Sequence, residues 1–165
     1  MVAGTMIVRA QAPIDAKVLA QLKRLFPSAG SFGPKGGDPP HFKAYVGDGR
    51  SGPQTVAGFA FLTTDLEPLE RGYEGPIKIL VAMDTKGVLA GIAVLDNHEP
   101  YGYFSIEPPQ FAAQFAGKSI RDPFRVGDDI DAVSRASISV SSATRAVKNS
   151  ARRAARQLLS PADVK

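Results

Sequence analysis

One stretch of the chain has residue types and spacing suited to covalent chemistry on a hydroxyl group. The segment DAVSRASISVSSATRAVKNS, residues 131–150, is rich in Ser and Thr and ends in a basic region. A hydroxyl that forms a phosphoester needs exposure on a turn, small neighbours, and N–H groups or a cation that hold the phosphate. Ala136 is such a small neighbour and Arg135 such a cation, which makes Ser137 the leading candidate. The full D-x-x-S-x-A-S pattern consists of Asp131, Ser134, Ala136 and Ser137.

The other hydroxyl residues of this segment have different interpretations. Thr144 is a second candidate for the same chemistry, although Ile138 and not an acid stands six residues before it. Ser and Thr residues ahead of a helix also accept hydrogen bonds from its free N–H groups. We expect Ser141 or Ser142 to cap the last helix in this way.

Composition favours one globular domain over residues 1–165, with SPADVK at 160–165 as a disordered tail. No apolar run is long enough to span a bilayer, and the opening MVAGTMIVRAQ lacks the pattern of a signal peptide. The chain has no cysteine and two histidines far apart in sequence, so we expect no metal site. Its net charge of +4 permits an anionic partner.

Hydrophobic periodicity predicts the elements that must position these residues. Apolar residues at helical spacing predict a helix over residues 13–27, with Asp15 near its start, and the loop at 27–40 is rich in Pro and Gly. The expected strands are HFKAYV, TVAGFAFLTT, PIKILVAMD and VLAGIAVLD, the last two joined by a DTKG hairpin. In PIKILVAMD, Ile77, Ile79, Val81 and Met83 share one face. The opposite face is free to take a helix or a ligand.

The second half of the chain predicts two more helices. PPQFAAQFAG, with Phe111 above Phe115, predicts a short helix over 108–117. A strand and a turn should then lead into a last helix from about Ser141. We therefore expect an α+β domain with an antiparallel sheet packed against helices.

The outer face of that last helix is basic. It carries Arg145, Lys148, Arg152 and Arg156. A solvated face explains this pattern, and contact with nucleic acid or an anionic surface is the competing explanation. Because no aromatic residues are interleaved with the basic ones, we expect no nucleic-acid partner.

The segment from Asp131 to Ser137 resembles the flavinylation motif of the periplasmic FMN-binding domains, Asp-x-x-Ser/Thr-x-Ala-Thr. In that family a flavin transferase joins the Thr oxygen to the phosphate of FMN. Asp131, Ser134 and Ala136 match the motif. Arg135 stands where the sodium-pump and Rnf-complex members have Gly, and Ser137 stands where the acceptor Thr is usual. With Arg at that position, the segment is similar to the NosR/NirI type of the family, the branch of nitrous-oxide and nitrite respiration.

The resemblance to the NosR/NirI type continues, in the same order, through LFPSAGSFGPKGGDPP, AGFAFLTTDLEP and GPIKILVAMDTKGVLAGIAVLDNHEP. It implies that His98 and Glu99 are the family's His-Glu pair, close to the flavin ring. An imidazole there can donate a hydrogen bond and favour the reduced, negatively charged ring. The alternative that stays open is that His98, at the end of a strand, has only a structural role. Tyr101, Tyr103 and Phe104 either stack on a flavin or pack in the core.

The resemblance implies a periplasmic, electron-transferring domain of a membrane-associated respiratory or regulatory protein, with covalent FMN and no catalytic residues of its own. Its partners would be the flavin transferase and a membrane electron-transfer domain or reductase. A flavin-free sensory or interaction domain of the same type of regulator is the main alternative. A small basic nucleic-acid-binding protein is another, and it predicts an affinity that falls steeply with salt.

Overall fold

The computed structural model describes residues 12–47 and 49–164, which form one sheet with helices on both of its faces. The elements in chain order are α1 (Ala16–Leu25), β1 (Ser31–Phe32), β2 (Phe42–Val46), β3 (Thr55–Leu62), α2 (Thr63–Leu66), β4 (Lys78–Asp84), β5 (Leu89–Asp96), α3 (Gly102–Ser105), α4 (Pro109–Ala113) and α5 (Ser137–Leu158). Helix α5 is by far the longest element.

The sheet is antiparallel throughout. Its order is β1-β2-β3-β4-β5, so each strand lies beside the strand that precedes it in the chain. The predicted α+β class is therefore confirmed. The β4–β5 hairpin is also confirmed: Asp84 accepts the N–H groups of Lys86 and Val88 at 2.8 and 2.9 Å, and Gly87 has φ 78°. Glycine adopts this left-handed conformation without the steric cost of a Cβ atom.

Strand β4 separates two apolar layers because its side chains alternate between the faces of the sheet. The layer that contains α5 includes the predicted series Ile77, Ile79, Val81 and Met83. On the opposite face, Leu80 and Ala82 are buried together with Leu22 of α1. The second face thus takes a helix, which is one of the two occupants expected for it.

Helix α1 agrees with its sequence signals. The Asp15 carboxylate accepts the N–H groups of Lys17 and Val18 at 3.1 and 3.2 Å, so it satisfies two donors of the first turn. The helix ends at Leu25, two residues before Pro27. The helix predicted over 13–27 is confirmed, with ends that are slightly shorter.

The start of the last helix differs from the prediction. Helix α5 begins at Ser137, four residues before the expected start at Ser141. Ser141 and Ser142 lie inside the helix, so the expectation that one of them caps it is wrong. The predicted strand just before this helix is also wrong, because residues 131–136 contain no strand and have a turn at Ser134 and Arg135. Ser139, in the first turn, is buried and donates its hydroxyl to the Glu99 carboxylate, a contact that the apolar stripe farther along does not indicate.

Three shorter elements also differ from expectation. The strand predicted through Thr64 ends at Leu62, because the Thr63 hydroxyl bonds to two backbone groups of the 77–79 segment at 3.0 Å and opens α2. The loop at 27–40 contains the two-residue strand β1, which pairs with β2. Only the first half of the helix predicted over 108–117 is helical, as α4.

The two faces of α5 follow the predicted division. Val147, Ala151, Ala154 and Ala155 are buried. On the outer face, Arg145 forms an ion pair with Glu70 at 2.7 Å. Arg152 donates to the carbonyl oxygens of Ile120 and Asp122, both at 2.9 Å. Part of the basic face therefore anchors α5 to neighbouring segments.

Three further features bear on the predictions. Within the ranges described above, no helix combines the length and apolarity needed to cross a membrane. The same residues contain no group of three or more His, Cys, Asp or Glu side chains that could hold a metal ion. Near the C-terminus, Asp163 donates its N–H to the Ser160 carbonyl at 3.0 Å. The disordered tail at 160–165 stays a prediction.

Candidate functional site

The D-x-x-S-x-A-S segment folds into a turn that leads directly into α5. The Ala136 N–H donates to the Val133 carbonyl at 3.2 Å, which places Ser134 and Arg135 at the two central positions. Arg135 has φ 68°. The second central position of a turn with positive φ favours glycine, and a residue with a Cβ atom adopts this conformation at a cost of about 1–2 kcal/mol.

Helix α5 starts without a side-chain cap. Ala136 at the N-cap offers no side-chain acceptor, and the first turn contains no acidic residue. The hydrogen bond from the Val140 N–H to the Ala136 carbonyl, 3.0 Å, is the first of the helix. The N–H groups of Ser137, Ile138 and Ser139 precede it and have no partner within the helix. With the positive end of the helix dipole, they favour a negatively charged group at this position.

A cleft of ≈ 390 Å³ lies beside this turn. It is formed by the start of α5 and by the loops that precede β4 and follow β5, and its size is within the range of ligand pockets. The lining residues are Tyr73, Pro100, Tyr101, Arg135, Ala136, Ser137, Ile138 and Ser139. The lining thus combines aromatic and aliphatic walls with two serine hydroxyl groups and one cation. The Ser137 side chain is exposed.

A buried carboxylate joins the two walls of the cleft. Glu99 is 8% exposed, and its two oxygens accept the backbone N–H groups of Tyr73 at 2.9 Å and Glu74 at 3.0 Å. It also accepts a short hydrogen bond from the Ser139 hydroxyl. Burial raises the pKa of Glu99, but the hydrogen bonds from Ser139 and from the backbone of residues 73–75 outweigh it and lower the pKa below its ordinary value of 4.5. An ionised Glu99 therefore holds the Tyr73 loop against α5.

The residues around Glu99 differ in their access to the cleft. His98 is exposed and does not belong to the cleft lining. Tyr101, Tyr103 and Phe104 are 45%, 68% and 37% exposed, so the alternative that they pack in the core is wrong. Their rings contact one another, with centroids 5.5 Å apart for Tyr101 and Phe104. Of these residues, Tyr101 reaches the cleft.

Three other predicted site residues lie outside the cleft lining. Asp131 and Ser134 are exposed on the segment before α5. Thr144 is buried inside α5, and its hydroxyl donates to the Val140 carbonyl at 2.7 Å. Of the two hydroxyls proposed for attachment, Ser137 is the one that is exposed at the cleft.

The cleft also contains residues that sequence reasoning missed, namely Tyr73, Pro100, Ile138 and Ser139. Ser139 was visible as the next hydroxyl after Ser137, but no sequence signal connects it to a carboxylate 40 positions away. Tyr73 lies in a loop without periodicity. Only the tertiary structure brings these residues together.

Two larger clefts lie elsewhere on the molecule. One of ≈ 770 Å³ is between α1 and residues 27–34, and one of ≈ 620 Å³ is beside β5 and α4. Lys23 is the charged residue in the first lining, and Arg24 and Glu107 are those in the second. Neither includes a residue of the D-x-x-S-x-A-S segment. The chemistry of the lining, and not size, therefore selects the cleft at α5.

An antiparallel sheet with an exposed serine, an arginine and free helix N–H groups at one cleft defines an α+β domain suited to a phosphorylated ligand. Residues 72–152 match the family described as the FMN-binding domain. The match supports an FMN-binding domain in this part of the chain, with FMN as its ligand, and every residue of the cleft lining falls inside the matched segment. No curated protein matches the chain significantly.

The residues of the cleft fit FMN. The Ser137 hydroxyl, the Arg135 guanidinium and the uncapped start of α5 suit its phosphate group. Tyr73 and Tyr101 provide aromatic side chains for its flat ring. These residues would hold the two chemically different ends of the cofactor.

Proposed function

We propose that this chain is an electron-carrying flavin domain of a membrane-associated respiratory or regulatory protein, linked to nitrous-oxide or nitrite reduction and located in the periplasm. A flavin transferase attaches FMN to the Ser137 oxygen through its phosphate, with a flavin dinucleotide as the donor. The Ser137 oxygen bonds to the phosphorus on the flavin side, the pyrophosphate bond breaks, and the other nucleoside monophosphate leaves with the hydroxyl proton. The observation that carries this proposal is the exposure of Ser137 at the cleft, inside the segment that matches the FMN-binding domain. The resemblance to the NosR/NirI type supports the respiratory setting.

The residues of the chain have distinct roles in this proposal. Bound FMN supplies one- and two-electron transfer. Arg135 and the N–H groups at the start of α5 stabilise the phosphate charge, and Tyr73 and Tyr101 hold the ring. Glu99 does not need to touch the cofactor, because it keeps the wall that carries Tyr73 in place. A covalent link means that dissociation never empties the site.

The setting of the cleft also suits a carrier of electrons. Tyr101, in the cleft lining, is 45% exposed, so a ring held against it lies near the surface of the domain. A partner can then approach it directly. A membrane electron-transfer domain or a reductase would be that partner.

Intact-mass spectrometry after periplasmic co-expression with a flavin transferase tests the attachment. We expect a mass increase of one FMN less one water in the unchanged chain, and colour that survives denaturation. Ser137→Ala should abolish the increase. Ser137→Thr should keep the increase or raise the fraction of the chain that carries it. Thr144→Val is the matched control and should leave it unchanged, because that hydroxyl is buried.

Two results would contradict the proposal. A mass increase that persists in Ser137→Ala would place the attachment elsewhere. Absence of any flavin, covalent or free, from the unchanged chain would favour the flavin-free sensory or interaction domain.

A further inference from the structure

Two described residues other than glycine have positive φ in this chain. They are Phe124, with φ 49°, and Arg135, with φ 68°. Backbone strain of this kind persists where the surrounding structure enforces it or where function requires the side chain. The two residues differ in which of these explanations applies.

The structure accounts for the backbone of Phe124. Its side chain is 4% exposed and stacks on Phe115 with ring centroids 6.2 Å apart. Its N–H donates to the Asp129 carboxylate at 3.0 Å. Burial and this hydrogen bond together fix the conformation.

No such compensation exists for Arg135. Its side chain is exposed, and within residues 12–47 and 49–164 it forms no hydrogen bond or ion pair. Glycine would occupy the turn without strain, and asparagine tolerates it better than most residues. Nothing in the fold therefore explains an arginine at this position.

The cleft supplies a reason. Arg135 alone carries a charge among the eight residues of the lining, and the Ser137 hydroxyl is two positions away. A guanidinium group presents N–H donors in a planar fork that matches two oxygens of a phosphate group. The ligand group that suits this residue is a phosphate monoester.

We infer that Arg135 is a specificity-determining residue, which selects phosphorylated over unphosphorylated flavin by binding the phosphate, and that its backbone strain is tolerated for this purpose. This inference rests on the proposed FMN-binding function. It does not depend on the covalent link, because it concerns recognition before any bond forms.

Four forms of the full chain, produced without a flavin transferase, test the inference: the unchanged chain, Arg135→Gly, Arg135→Asn and Arg135→Lys. Gly and Asn relieve the backbone strain and remove the charge. Lys keeps the strain and keeps the charge. We expect the first two to raise the melting temperature of the flavin-free chain by roughly 2–4 °C. Arg135→Lys should leave it unchanged.

Titration with FMN and with riboflavin, which lacks the phosphate, gives the readout of recognition. We expect Arg135→Gly and Arg135→Asn to weaken FMN binding by about tenfold and to leave riboflavin binding unchanged. Arg135→Lys should retain most of the FMN affinity, because it retains the charge.

The outcomes separate this inference from the proposed function. If both flavins bind the unchanged chain but Arg135→Gly keeps its preference for FMN, the start of α5 alone recognises the phosphate and the inference is overturned. Equal losses for FMN and riboflavin would assign Arg135 to the shape of the cleft and would also overturn it. If neither flavin binds the unchanged chain, the FMN-binding function itself fails.

Discussion

Replacement of Glu99 by glutamine tests whether an ionised carboxylate holds the cleft together. In the unchanged chain, this side chain accepts hydrogen bonds from the backbone N–H groups of Tyr73 and Glu74 and from the Ser139 hydroxyl. A Cβ atom on Gly72 would lie 2.4 Å from a Glu99 oxygen, so the loop approaches this carboxylate very closely. Glutamine has nearly the same shape but offers one acceptor oxygen instead of two.

The size of the effect follows from these hydrogen bonds. In Glu99→Gln, one of the two backbone N–H groups faces an NH₂ donor, and the Ser139 hydroxyl loses a charged acceptor. A hydrogen bond to a charged group contributes about 1.5–3 kcal/mol. Two such losses, offset in part by the easier burial of a neutral amide, lower the free energy of unfolding by about 2–4 kcal/mol. For a chain of this length, the melting temperature falls by roughly 5–12 °C.

The pH dependence has a definite sign. Because the pKa of Glu99 in the folded chain is lowered, its stabilisation is fully present above the unfolded value near 4.5 and is lost as the pH falls through the folded value. Glu99→Gln lacks this titration. The difference in stability between the unchanged chain and Glu99→Gln should therefore be largest at pH 7 and should shrink below about pH 4.5.

Urea unfolding followed by circular dichroism at several pH values between 7 and 3 measures both effects. Glu107→Gln is the matched control, since Glu107 is exposed and accepts one side-chain hydrogen bond, from Asn97 at 3.1 Å. It should change the free energy of unfolding by no more than about 0.5 kcal/mol. The reasoning is refuted if Glu99→Gln is as stable as Glu107→Gln at pH 7, or if its deficit does not shrink in acid.

Two further predictions concern stability, and thermal unfolding measures both. Ser150→Ala should stabilise the chain by about 1 kcal/mol, because the Ser150 hydroxyl is the one buried side-chain polar atom without a partner in the described structure. Thr144→Val removes a buried hydroxyl that has a hydrogen-bond partner. If it stabilised the chain as well, the missing partner would not be the reason for the effect of Ser150→Ala. Gly58→Ala should destabilise the chain by about 1–3 kcal/mol, because the new Cβ atom would lie 2.5 Å from the Met83 carbonyl oxygen. Gly36→Ala, with open space around it, should be nearly neutral, and equal effects of the two changes would refute the steric argument.

The parts of the fold with strong local signals were predictable from sequence. Asp15 caps α1 and Gly87 closes the β4–β5 hairpin, and in both cases the residue's own chemistry decides the backbone. Alternation along β4 identified its two faces, because successive side chains of a strand point to opposite faces of the sheet. These predictions needed no information about distant residues.

The start of α5 could not be predicted in this way. Its first turn, Ser137 to Ser139, consists of hydroxyl and β-branched residues, which have modest helix propensity. The contact between Ser139 and Glu99 crosses 40 positions of sequence. A tertiary contact therefore outweighs local preference, and the apolar stripe that begins farther along gave a start that was too late.

The candidate site was predictable to a similar extent. The sequence pattern identified Arg135, Ala136 and Ser137, and the structure brings all three to one cleft. The contribution of Glu99 was not predictable, because its hydrogen-bond donors belong to a loop that has no pattern of its own. A sequence shows that a carboxylate is present, but not which N–H groups converge on it.

The charges around the cleft explain why the Glu99 carboxylate and the turn that contains Arg135 depend on each other. Glu99 places a negative charge behind the wall of a cleft that we propose to receive a phosphate, and like charges repel. The N–H groups of Tyr73 and Glu74 and the Ser139 hydroxyl surround that carboxylate, which reduces its effect on the cleft. Arg135 contributes the opposite charge on the cleft side. The carboxylate can therefore brace the walls without excluding an anion, provided that a cation remains in the turn before α5.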